Sequence, residues 1–123
     1  MTATITRRVR ADDLVIRECL VWIAGSYATP SPVSAMAERS GLTARTFARR
    51  FRAATGRRPM DYVHALRIES ARRRLETGAA AIDDIGYEVG YEDPTFFRRL
   101  FKRTTGLTPA AYRRKFAPMG AVG

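Results

Sequence analysis

A chain of 123 residues, 46% of them hydrophobic, has room for one ordinary domain with a modest core. Its formal charge of +10 and pI of about 11.0 bring a self-repulsion usually kept for a polyanionic partner: DNA, RNA or an anionic membrane surface. One cysteine (Cys19) and one histidine (His64) exclude an internal disulfide and a zinc set, and no run approaches the ~18 apolar residues of a membrane-spanning helix.

Residues 1–10 read as a loose basic arm without the apolar run of a signal peptide, which fits a cytoplasmic protein. From Asp12 the pattern turns helical: Ile16, Leu20, Ile23 and Tyr27 follow at spacings of four, three and four, with Asp12 or Asp13 as the cap. Thr29-Pro30-Ser31-Pro32 stops that helix and opens a short second one marked by Val33, Met36 and Ala37. Gly41 supplies its left-handed cap. Thr43 caps a third helix that runs to Thr55 and closes at Gly56. Pro59 opens a long fourth helix through Tyr62, Val63, Leu66, Ala71 and Leu75 to Thr77. Ile82, Ile85 and Val89 give a short fifth helix closed by Gly90, and Asp83-Asp84 complement its dipole. Asp93-Pro94 opens a sixth helix and Thr108-Pro109 a short last one through Tyr112. No alternating strand pattern appears, so the expected class is all-α.

The chain repeats itself. TARTFARRFRAATGRRPMDY (Thr43 to Tyr62) aligns with DPTFFRRLFKRTTGLTPAAY (Asp93 to Tyr112) at a constant offset of 50. Phe47 matches Phe97, Phe51 matches Phe101, Pro59 matches Pro109 and Tyr62 matches Tyr112. Upstream the offset is 49, so the second copy carries one extra residue in its turn. Each copy is a short helix, a Gly-containing turn and a longer helix, which is a helix-turn-helix unit. Ala37 and Gly86 are small where the helices of each unit should cross closely.

On a helical wheel Phe47 and Phe51 face inward, while Arg45, Arg49 and Arg52 face out with Thr46 beside them. In the sixth helix Phe97 and Phe101 face inward; Thr95, Arg99 and Lys102 face out, with Phe96 and Arg103 at the edge. The first turns of the second helix of such a unit enter the major groove, where arginine grips guanine N7 and O6 with two hydrogen bonds. Arg45, Thr46, Arg49, Thr95, Phe96 and Arg99 are therefore the candidate base readers, Phe96 either against a thymine methyl or packed on a neighbour. Arg50, Arg52, Arg98, Lys102 and Arg103 are the candidate phosphate contacts. The short helices beginning near Val33 and Ile82 would aim their N-termini at the DNA backbone. Arg72-Arg73-Arg74 reads either as a solvated face or as a phosphate clamp.

At these residues the chain resembles the DNA-binding domain of the AraC/XylS-type transcription regulators. GYEDPTFFRRLFKRTTGLTPAAYRRKF (Gly90 to Phe116) looks like the family's C-terminal signature, and MAERSGLTARTFARRFRAATGRRPMDYV (Met36 to Val63) is typical of its first unit. The resemblance implies a seven-helix domain over residues 11–116: a first helix-turn-helix unit at 11–58, a linker helix at 59–78 and a second unit at 79–116, before a tail at 117–123. It implies recognition helices in successive major grooves of double-stranded DNA, with Arg45, Arg49, Thr95 and Arg99 reading bases, and RNA polymerase as a partner if the protein activates. Pro94 removes a backbone donor that other members can use. The details look closest to members with an amidase-like domain in front. The chain is then either a stand-alone member or, as that likeness favours, an excised C-terminal domain, monomeric alone with the full-length protein dimeric through the missing part, working in the cytoplasm on the nucleoid.

The rival readings are an enzyme and a sequence-blind nucleic-acid-binding or nucleoid-associated protein. Catalysis wants a base, nucleophile or metal cluster. His64 lies on the long helix with no catalytic grouping evident in the sequence around it, and Cys19 sits beside an apolar stripe, so no enzyme, cofactor or metal is expected. Single-strand readers expose aromatic platforms, whereas Phe47, Phe51, Phe97 and Phe101 face inward.

Overall fold

Asp13, Thr43, Asp93 and Thr108 each place a side-chain oxygen on a first-turn N–H, and four helices start where those caps stand. The computed structural model describes residues 13–118, and within them there are seven helices and no strand. They are α1 (Leu14–Ala24), α2 (Pro32–Ser40), α3 (Ala44–Thr55), α4 (Pro59–Thr77), α5 (Ile82–Glu88), α6 (Pro94–Thr105) and α7 (Pro109–Phe116). The basic arm and the alternative cap Asp12 lie outside the described residues, as does most of the tail. Gly41, Gly56 and Gly106 close α2, α3 and α6 at φ of 74°, 78° and 87°, the left-handed region that side chains with a Cβ resist.

Helix α1 is shorter than its apolar spacing suggests. It ends at Ala24, the N–H of Gly25 turning back to the Trp22 carbonyl at 3.2 Å, and Tyr27 lies in the following turn. Leu20 is half-exposed, and Cys19 takes its place in the stripe between Ile16 and Ile23. The Cys19 thiol points inward and donates to the Met36 carbonyl at 3.7 Å; burial pushes its pKa up, so it rests as an unreactive thiol.

The chain divides into two compact units, one ending at His64 and one beginning at Ala65. In the first, Ile16 and Ile23 of α1, Met36 of α2 and Phe47 and Phe51 of α3 are fully buried, joined by Val63 from the start of α4. In the second, Ile68, Ala71 and Leu75 of α4 meet Ile85 and Val89 from the α5 segment, Phe97, Leu100 and Phe101 of α6 and Tyr112 of α7 in one core. The division falls inside α4: Val63 belongs to the first core, and Ile68, Ala71 and Leu75 to the second.

Candidate nucleic-acid interface

Helix α3 is fixed from within. Phe47 and Phe51 are buried with ring centroids 5.6 Å apart, and Tyr62 meets Phe51 edge-on at 5.4 Å. That packing turns Arg45, Arg49 and Arg52 to solvent, with Thr46 half-buried beside them. The Thr46 N–H is already taken by the Thr43 hydroxyl at 3.2 Å, so Thr46 offers its side chain. Helix α6 repeats the arrangement. Phe97 and Phe101 are buried, Tyr112 meets Phe101 edge-on at 5.4 Å, and Thr95, Phe96, Arg99, Lys102 and Arg103 are exposed. Asp93 occupies the Thr95 N–H at 2.9 Å.

Among the described residues, no carboxylate pairs with Arg45, Arg49, Arg52, Arg99, Lys102 or Arg103. Arg45 and Arg49 stand one turn apart on the same face, where like charges repel and an anion is favoured.

Two of the phosphate candidates are otherwise engaged. Arg50 donates from Nε and Nη2 to both carboxylate oxygens of Asp13, at 2.9 and 2.7 Å, and ties α3 to the first turn of α1. That bond holds the Asp13 carboxyl below the usual carboxylate range; the Ile16 N–H adds to the effect and partial burial opposes it. Arg98 pairs with Asp83 and ties α6 to α5. Neither pairing could be read from the chain, because both depend on how the helices pack.

The arginine run on α4 is neither a bare solvated face nor a free clamp. Arg72 donates to the Tyr112 hydroxyl at 3.1 Å and to Glu69 at 3.2 Å, while Tyr112 donates to Glu76 at 2.5 Å. Arg73 faces Glu69 at 3.8 Å, and Arg74 pairs with Glu88 and donates to Ser70 at 3.2 Å. The N-termini of α2 and α5 carry no side-chain cap, which leaves first-turn N–H groups for an outside acceptor. At α5, however, Asp83 and Asp84 already answer the dipole, whereas the first turn of α2 carries no acidic residue.

One arrangement escaped the sequence. Arg67 of α4 is only 4% exposed and lies 5.0 Å over the ring of Tyr91, itself 5% exposed in the turn before α6. Burial pushes the Tyr91 phenol up to about 12, with Arg67 pulling the other way. The signal was present: Arg67 lies four residues from both Val63 and Ala71, on the apolar stripe.

Among the described residues, no group of His, Cys, Asp and Glu is placed to hold a metal, and no helix is long and apolar enough to cross a membrane.

The profile of a family described as "Helix-turn-helix domain" matches residues 36–115. The chain is 39% identical over 69 residues to the MmsAB operon regulatory protein of Pseudomonas aeruginosa, covering 56% of this chain and 22% of the relative. It is 31% identical over 106 residues to a putative AraC-like transcription regulator of Streptomyces antibioticus, covering 86% and 35%. The transcriptional activator RhaS of Escherichia coli is 33% identical over 95 residues, covering 77% and 34%. The chain thus spans about a third or less of the length of these relatives. Among solved structures, the DNA-binding domain of AdpA in complex with a target DNA superposes with a TM-score of 0.78 at 33% identity, over 82% of this chain and 91% of that one. The C-terminal domain of AraT from Geobacillus stearothermophilus shares the fold, with a TM-score of 0.81 at 21% identity over 86% and 88%.

Proposed function

The chain belongs to the AraC-type family of helix-turn-helix DNA-binding domains, and from that premise we propose that it binds double-stranded DNA sequence-specifically through α3 and α6 and thereby regulates transcription. The observation that carries this reading is the matched pair of cationic faces. Arg45 and Arg49 on α3, and Thr95 and Arg99 on α6, are exposed at equivalent or neighbouring positions and have no intrachain carboxylate partner among the described residues.

In this reading Arg45, Thr46 and Arg49 read one box and Thr95, Phe96 and Arg99 a second. The boxes lie in successive major grooves, about one helical turn or ~10 bp apart. Arg52, Lys102 and Arg103 neutralise phosphates, while Arg50 and Arg98 serve chiefly to brace their helices. The domain performs no catalysis of its own. It acts in the cytoplasm on the nucleoid, as a monomer when alone, and RNA polymerase is its partner where it activates.

Selection of bound sites from random duplex DNA at near-physiological salt tests this directly. The expected product is an asymmetric motif with two short boxes one turn apart. Arg49→Ala and Arg99→Ala then each relax a different box, at about 1–3 kcal/mol, whereas Arg52→Ala weakens all sequences alike and lowers the salt slope by about 1. Tight, salt-sensitive binding with no motif would replace this reading with a sequence-blind grip on phosphates.

A further inference from the structure

Phe96 is the third residue of α6, in the turn that a recognition helix presents to base edges. It is 45% exposed, while its neighbour Phe97 is fully buried. Its ring is nonetheless held. The Tyr91 ring lies against it with centroids 5.8 Å apart and planes tilted by 45°. Tyr91 in turn stacks on Phe97 at 5.7 Å and 28° and lies beneath the buried Arg67 guanidinium. Arg67, Tyr91 and Phe96 thus form a continuous run of contacts from the inside of the second unit to its outer face. The first unit has no such shelf: Thr46 stands where Phe96 does, and the turn from Gly41 to Thr43 is one residue shorter than that from Gly90 to Asp93.

A phenyl ring has no donor or acceptor to offer a base. Of the groups displayed in the major groove, N7, O6, N6, N4 and O4 all require a hydrogen-bonding partner, and only the thymine C5-methyl is apolar. A ring already held against a neighbouring ring loses little freedom on binding. We propose that Phe96 reads the C5-methyl group of a thymine in the box bound by α6, with Tyr91 as the positioning residue that holds its ring at the reading angle. This rests on the proposed base reading by α6 and adds the chemical group that is read.

The test uses the full 123-residue chain and its selected site, with each thymine of both boxes replaced singly by deoxyuridine, which removes the methyl and nothing else. One position in the α6 box should weaken binding about fourfold, the worth of one buried methyl group. Phe96→Ala should bind the thymine and uracil forms equally. Tyr91→Phe should keep the discrimination and Tyr91→Ala should reduce it, read as the ratio of the two Kd values so that a general loss of affinity does not count. An α6 box without a thymine, or a ratio unchanged in Phe96→Ala, overturns the proposal. The underlying reading fails separately, when Arg99→Ala leaves the base preferences of that box unaltered.

Discussion

Phe51 meets Tyr62 at 5.4 Å and 82° in the first unit, and fifty residues further on Phe101 meets Tyr112 at 5.4 Å and 84°. The ends of α3 and α6 are closed by the same device. Thr55 donates to the Phe51 carbonyl and accepts from the Arg57 N–H, at 3.0 and 3.1 Å. Thr105 does the same with Phe101 and Leu107, at 2.8 and 3.2 Å. Away from this shared interior the units part. The position of Arg50, paired with Asp13, is a buried leucine, Leu100, in the second unit. Ala48 is replaced by Arg98, which pairs with Asp83. The units keep what close packing demands and differ where several solutions brace a helix equally well.

The most severe way to break the equivalence is to cut its centre. Phe51→Ala and Phe101→Ala should each cost about 3–5 kcal/mol. Urea unfolding followed by Trp22, the only tryptophan, reports the first, and amide exchange in α6 reports the second. A milder change sharpens the contrast at the helix crossings. A Cβ at Gly86 would lie 2.8 Å from the Phe97 ring, so Gly86→Ala should destabilise by about 1–3 kcal/mol. In the first unit the corresponding Ala37→Gly should cost about 1 kcal/mol, through helix propensity alone. A Gly86→Ala protein as stable as the wild type in urea would show that the two crossings are interchangeable.

Smaller still is the effect of Asp13→Ala, about 1 kcal/mol through the lost cap. Because Arg50 holds the Asp13 carboxyl below its ordinary 3.8, the stabilisation is complete above that pH and fades as pH falls through the lower native value. An acid titration of stability should therefore contain a step that Asp13→Ala lacks. At the other end of the scale Tyr91, raised to about 12, favours its neutral form when folded. Its contribution is complete below pH 10 and lost as pH rises through about 12, and Tyr91→Phe should flatten that alkaline loss. At neutral pH the same change should cost about 1–3 kcal/mol, because it takes a hydrogen-bond partner from the buried Arg67.

Most of the fold was legible in the sequence because it is built from local rules. The caps Thr43, Asp93 and Thr108, the left-handed glycines and the first-turn prolines each act within four residues, and the fifty-residue offset placed both cores. What stayed hidden was non-local. Asp13 and Arg50 are 37 residues apart, and Arg72 and Tyr112 are 40 apart; nothing in either segment announces the other. The early end of α1 was missed because Tyr27 continues the apolar spacing while the backbone has already turned at Gly25. Of the outward face, the wheel gave the exposed positions correctly for Arg45, Arg49, Thr95 and Arg99. Knowing which other cations were already occupied required the packed helices.

The double duty of Asp13 sets where the first unit can be trimmed. Its carboxylate caps α1 and at the same time grips a guanidinium on α3, so the helix begins at Leu14 but the folding unit reaches at least one residue further back. A chain cut to start at Leu14 would keep every helix of the described residues and still free Arg50 from α1. In a domain-swapping or fusion experiment, the joint therefore belongs on the N-terminal side of that aspartate.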